Sequence, residues 1–277
     1  MRKTIIISVF ALLGAMAAQA VIVEPAQRID GVPTAWHPVL STDGQRLLFS
    51  AEDHTGLKCL NLADGTLETI DKDAAAGFNP VFAADGKTVV YTTARLIDGL
   101  TNRDVRKYTP GAGNSKVVKP MSRRDNNINV IAGNTNYATA DYDKIIVTVN
   151  GVSTALSPLA DAHSYLWASL SPDGTRLLFT EPFKGVYVSN PDGTSPRRLA
   201  AKGDFAAWAG NNIVVYIESH DDGYQTLDSQ LKAIDLTTGA TTTVTDTDVI
   251  VSEATAAHNG RVVYSTIQGE LYQTTIK

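Results

Sequence analysis

The sequence has 277 residues, 43% of them hydrophobic and 19% charged, which is a globular composition with enough chain for a large core. The formal net charge is −5 at pH 7, and −7 without Arg2 and Lys3, which excludes nucleic acid as the main partner. A single cysteine, Cys59, rules out an internal disulfide and reads as a small buried strand residue.

The first element is not part of a fold. Arg2 and Lys3 precede an uncharged, largely apolar run over residues 4–18, and Ala18-Gln19-Ala20 is a small-x-small cleavage site. This pattern predicts a cleaved signal peptide over residues 1–20, with residues 21–277 as a single domain. No stop-transfer pattern follows, no cysteine lies near the cleavage site, and no later stretch is apolar enough to span a bilayer. The expectation is a periplasmic or secreted monomer without a membrane anchor.

From residue 37 the chain repeats itself about every 43 residues, the signature of propellers and solenoids. The clearest copies are "HPVLSTDGQRLLFS" (37–50), "NPVFAADGKTVVYT" (79–92) and "WASLSPDGTRLLFT" (167–180). Each reads as a strand, a tight Asp-Gly turn and a second strand, because Asp, Asn and Gly tolerate the positive φ that hairpin turns need. Turns joining the innermost strand to the next are expected at Gly44, Gly86, Asn134, Gly174, Asn211 and Gly260. Turns joining the outer two strands are expected at Gly65, Gly111, Gly151, Gly193 and Gly239. The sixth turn of that second series would lie beyond Lys277, so the last unit has three strands of its own.

Residues 21–31 precede the first repeat and supply the missing strand, which removes an open sheet edge. Both series predict an all-β, six-bladed β-propeller with four-stranded antiparallel blades. An open solenoid, or five blades with an irregular insertion at 120–160, are the alternatives.

Two connections between second and third strands are long, at 92–108 and 217–232, and read as extended hairpins. The run Lys116, Lys119, Arg123, Arg124 reads as a solvated connector. Asp43, Asp85 and Asp173 recur in every good turn and are structural caps, since a catalytic site occurs once. Phe49, Tyr91, Phe179, Tyr216 and Tyr264 read as core between blades.

These residues resemble the TolB-type propeller repeat, a relative of the WD40 repeat. Its pattern is an aromatic-S-P-D-G turn, an aliphatic strand, a second Asp/Asn-Gly turn and a basic strand ending in Leu. "SLSPDGTRLLFTEPFKGVYVSNPDGTSPRRLA" (169–200) follows that pattern over almost a whole blade. The resemblance implies the fold and leaves function to the channel and rim.

Aligning the units on their inner turns places His37, Asn79, Asn127, Trp167, Asp204 and Glu253 as a ring at one channel mouth. Such a ring suits a polar ligand, a cation or a peptide side chain. His54 and His220 fall in longer loops and read as solvent-exposed. No G-x-S-x-G elbow and no HExxH or paired-histidine spacing occurs. The reading is a non-catalytic binding or interaction scaffold with no catalytic residues and no cofactor predicted. Its partner would be an envelope protein or peptide, or an oligosaccharide. A channel-bound cation remains open. The alternative is an oligosaccharide-binding or metal-dependent polysaccharide-degrading propeller enzyme that uses the channel.

Overall fold

The computed structural model describes residues 21–111, 113–122, 127–246 and 248–277. The signal peptide expected at 1–20 lies outside the described residues, as do Arg123 and Arg124 of the basic run. A short first strand, Gln27–Arg28 (β1), leads into blade one: Trp36–Leu40 (β2), Arg46–Ser50 (β3), Leu57–Asn61 (β4) and Leu67–Asp71 (β5). Blade two is Val81–Phe82 (β6), Val89–Ile97 (β7), Leu100–Tyr108 (β8) and Lys116–Ser122 (β9). Lys116 and Lys119 therefore sit on an outer strand, not on a connector.

Blade three begins with a helix, Ile128–Ala132 (α1), followed by Tyr137–Asp141 (β10), Lys144–Val149 (β11) and Val152–Leu156 (β12). Blade four is Leu166–Leu170 (β13), Leu177–Glu181 (β14), Gly185–Ser189 (β15) and Arg197–Ala200 (β16). Blade five is Asp204–Trp208 (β17), Ile213–Asp221 (β18), Thr226–Asp235 (β19) and Thr241–Thr243 (β20). Blade six is Val251–Ala256 (β21), Arg261–Thr266 (β22) and Leu271–Thr275 (β23). Within each sheet neighbouring strands pair in sequence order, and β1 joins blade six outside β23.

The six sheets form the ring of a β-propeller, closed by the first segment. Gln27 and Arg28 pair antiparallel with Gln273 and Tyr272, and Val23 bridges Ile276. Ile22 and Lys277 exchange both backbone hydrogen bonds. The Asp-Gly turns work as their composition dictates. Asp43 accepts from the Ser41 hydroxyl and the Gln45 N–H, and Asp173 accepts from the Ser171 hydroxyl and the Thr175 N–H. Those bonds hold the Asp173 carboxyl down to about 2, the Ser171 hydroxyl contributing most.

Blade three departs from the repeat. Where an inner strand and a turn at Asn134 are expected, the described residues form α1. Asn127 caps its start by accepting from the Val130 N–H, and Gly133 ends it in the left-handed conformation. Ile128, Ile131 and Ala132 pack on Val81, Val90 and Val105 of blade two. Asn134 donates its amide to the Phe82 carbonyl and to Asn129. The apolar spacing of a short helix, with Asn before and Gly after, outweighs the turn signal there.

Adjacent blades meet through second-strand aromatics. Phe49, Tyr91, Phe179, Tyr216 and Tyr264 are all buried, and Cys59 is buried beside Leu48 and Tyr91. Between blades one and two lies a polar brace. Asp71 Oδ2 accepts from the Tyr91 hydroxyl at 2.6 Å and from the Arg106 guanidinium at 2.7 Å, and Arg106 also reaches Asp73 at 3.0 Å. Burial opposes the Asp71 charge, but the Tyr91, backbone and Arg106 bonds outweigh it and lower the carboxyl pKa.

The pairing register defines the two faces of the ring. Trp36 pairs with Ser50, Leu166 with Thr180 and Asp204 with Ile217. The starts of the inner strands therefore share one face with the connections between second and third strands. On that face the β7–β8 and β18–β19 hairpins run on past the other blades, as their length in the sequence predicts.

Candidate functional site

Each inner strand opens with a register slip, a left-handed residue or both. The register slips between Trp36 and Val39, between Leu166 and Ser169, between Asp204 and Ala207, and between Val251 and Glu253. His37, Asn79, Trp167 and Phe205 adopt φ of 56°, 49°, 47° and 52°. A bulge with a left-handed residue bends the strand and re-aims its side chains, here at the channel mouth. The positive φ costs each non-glycine residue about 1–2 kcal/mol, and its return in four blades, with the bulge in three of them, makes it a property of the repeat.

The conformations displace two positions of the sequence-derived ring. Blade one closes its inner turn from the Ser41 N–H to the Arg46 carbonyl, whereas blade five closes from the Ala209 N–H to the Ile213 carbonyl. The blade-five turn is one residue tighter, so alignment on Asn211 slips by one. Phe205 holds the ring position, and Asp204 lies just outside the cavity. Burial raises the Asp204 carboxyl pKa, partly offset by a hydrogen bond from Ser219. Asn127 is also displaced: it caps α1 and donates to the Tyr137 hydroxyl at 2.8 Å.

The other four positions come together. His37, Asn79, Trp167 and Glu253 line a cavity of about 440 Å³ with Phe205, the prolines Pro38 and Pro80, and alanines of blades four to six. His54 is a wall residue that the sequence does not reveal. Its loop reads as solvated, yet its ring stacks on His37 at 3.6 Å with 17° between planes and meets Phe78 edge-on at 5.2 Å. Across the mouth Trp167 and Phe205 lie 4.8 Å apart. Two aromatic walls thus face a channel with few polar groups.

The strongest polar feature is closed on itself. His37 Nε2 lies 2.8 Å from the Glu52 carbonyl, which only accepts, so this nitrogen carries a proton. His37 Nδ1 lies 2.7 Å from Glu253 Oε1, and the His37 backbone N–H donates to the other Glu253 oxygen. A carboxylate facing Nδ1 favours a proton there too. Their side chains are 18% and 13% exposed. Burial lowers the His37 pKa, but the Glu253 and Glu52 bonds outweigh it and the net shift is upward. His54 moves the other way, pushed down by burial and by the His37 charge. Among the described residues no three His, Cys, Asp or Glu side chains are grouped to hold a metal ion.

A first prediction follows from this pair. With a raised folded pKa, the pair stabilises the fold fully below the ordinary histidine value of 6.5, and that contribution fades as pH rises through the raised value. Glu253→Gln keeps the shape but removes the charge. The His37 ring, followed by NMR across pH, then titrates lower than in the wild type, because Glu52 alone is left to oppose burial. An unchanged titration midpoint would show that Glu253 does not hold the proton.

No protein-family model matches the chain, and the search of curated proteins gives no match. Solved structures do resemble it. A putative TolB from Agrobacterium tumefaciens is 17% identical, with a TM-score of 0.53 over 87% of this chain and 89% of that one. Virginiamycin B lyase from Staphylococcus aureus is 11% identical, with a TM-score of 0.54 over 92% and 99%. The Cps50 (Swd1) β-propeller domain of Myceliophteria thermophila is 9% identical, with a TM-score of 0.54 over 90% and 99%. These neighbours differ in function and share the architecture. In fold, the chain is a six-bladed β-propeller.

Proposed function

We propose that this protein is an exported, non-catalytic binding module that holds a planar group of a peptide or protein ligand in its channel mouth. The observation carrying this reading is the self-contained His37–Glu253 pair within an aromatic-walled cavity. Both Glu253 oxygens and both His37 ring nitrogens already have partners, which leaves neither positioned as a base for turnover. The His37/His54 and Trp167/Phe205 pairs offer faces for stacking, and Asn79, Ser169 and Thr255 supply hydrogen bonds at the wall. Export rests on the composition of residues 1–20. An oligosaccharide stacked on Trp167 is the rival occupant.

Thermal unfolding of residues 21–277 tests the reading, with short peptides bearing aromatic and amide side chains set against neutral and acidic oligosaccharides. A ligand at about 100 times its Kd adds about 2.7 kcal/mol, which raises the midpoint of a chain this size by about 5–10 °C. Peptides are expected to give that shift and Trp167→Ala to abolish it. A shift with oligosaccharides alone, or polysaccharide breakdown that is lost in Glu253→Ala, would overturn the reading.

A further inference from the structure

The long hairpins stand on the same face as the cavity, and in a ring of six, blade two lies opposite blade five. Their ends differ in chemistry. The β7–β8 end presents Leu96, Ile97 and Leu100, with Leu96 74% exposed. The β18–β19 end carries Asp221, Asp222 and Asp228 around Tyr224, whose side chain is 98% exposed. His220 pairs with Asp228 at 2.7 Å, and the Asp221 and Asp222 carboxylates also accept from turn N–H groups. One wall of the face is therefore mainly aliphatic, with Arg95 and Asp98 offsetting each other in charge beside it, and the opposite wall is acidic with a projecting aromatic ring. Between them the rim carries further exposed rings, Tyr142 and Phe183, each in the connection between second and third strands of its blade. Exposed apolar side chains gathered on one face around a cavity mark an interaction surface.

We infer that this face docks a protein segment that is both basic and apolar. The segment lies across the channel mouth, its aliphatic residues on the β7–β8 end and its Lys or Arg side chains on the β18–β19 end. The assignment rests on charge complementarity. An acidic aromatic wall attracts cations and stacks guanidinium groups, and it repels an anionic bilayer, which the aliphatic wall alone would not. The inference builds on the binding reading of the channel mouth and adds the class of partner.

The test uses fluorescence anisotropy with a labelled peptide of about 15 residues alternating Lys and Leu, and the same peptide with Glu for Lys. The folded chain is expected to bind the Lys peptide at least about tenfold more tightly than the Glu peptide, with affinity falling as salt rises. Asp221→Asn/Asp222→Asn/Asp228→Asn keeps the side-chain oxygens that cap the turn. It is expected to erase the preference and the salt dependence. Leu96→Ser/Leu100→Ser weakens both peptides about tenfold. Equal binding of the two peptides, no binding up to about 1 mM, or wild-type affinity in both hairpin variants would overturn the inference. So would binding to anionic lipid vesicles, or self-association that the hairpin variants abolish. Loss of peptide binding in Trp167→Ala with both hairpin variants unaffected would sink the hairpin docking and leave the channel-mouth reading standing.

Discussion

Replacing Arg106 with methionine is expected to lower the thermal midpoint of the chain by about 6–12 °C. The Asp71 side chain is 7% exposed and the Arg106 side chain 15%. Removing the guanidinium leaves a buried carboxylate with the Tyr91 hydroxyl and backbone N–H groups alone, and breaking such a pair from one side costs about 3–5 kcal/mol. The lower end applies, because Asp73 is half-exposed and rehydrates. Asp71 has a folded pKa below its ordinary 3.8, so the brace stabilises above that value and its contribution disappears as pH falls through the lowered one. Urea melts of wild type and Arg106→Met should therefore converge under acid. Parallel losses of stability for the two proteins at all pH values would show that the pair contributes nothing electrostatic.

Gly185→Ala should cost as much by a different route. Gly185 opens β15 at φ 108°, and a Cβ there would sit 2.0 Å from the Ala200 carbonyl oxygen of β16. The neighbour is backbone, so it cannot swing aside, and the residue is also held where L side chains are strained. Strain and displacement together cost about 3–5 kcal/mol. Gly174→Ala is the control: its φ is 69° but nothing lies within 4 Å of the added Cβ. It should lose about 1–2 kcal/mol. Similar midpoints for the two alanine variants would mean that the close approach to Ala200 relaxes freely.

The fold was readable because it is written many times over. A turn such as Ser41-Thr42-Asp43-Gly44 carries its own chemistry, and recurrence separates it from chance. The closing strand was readable from a shortage, since the last unit lacked a fourth strand and residues 21–31 lacked a partner. Blade three was not readable, because Asn127 and Gly133 serve a helix end as well as they serve a hairpin, and only packing on Val90 and Val105 decides between them. Phe205 was missed through the one-residue shortening of the Ala209 turn, which spacing alone does not register. His54 was missed for a deeper reason: its loop sequence is polar, and its burial comes from a stack on a residue of another strand. Ring positions follow from the repeat, whereas what covers them follows from three-dimensional neighbours.

The pairing of Ile22 with Lys277 has a kinetic consequence. During synthesis the first strand emerges before any blade is complete, yet its partner β23 follows all the other described strands. Until then blade six is one strand short and the ring has a gap. Contacts this distant in sequence form late and slow the final step, so the nascent protein spends its waiting time with a bare sheet edge that invites pairing with another chain.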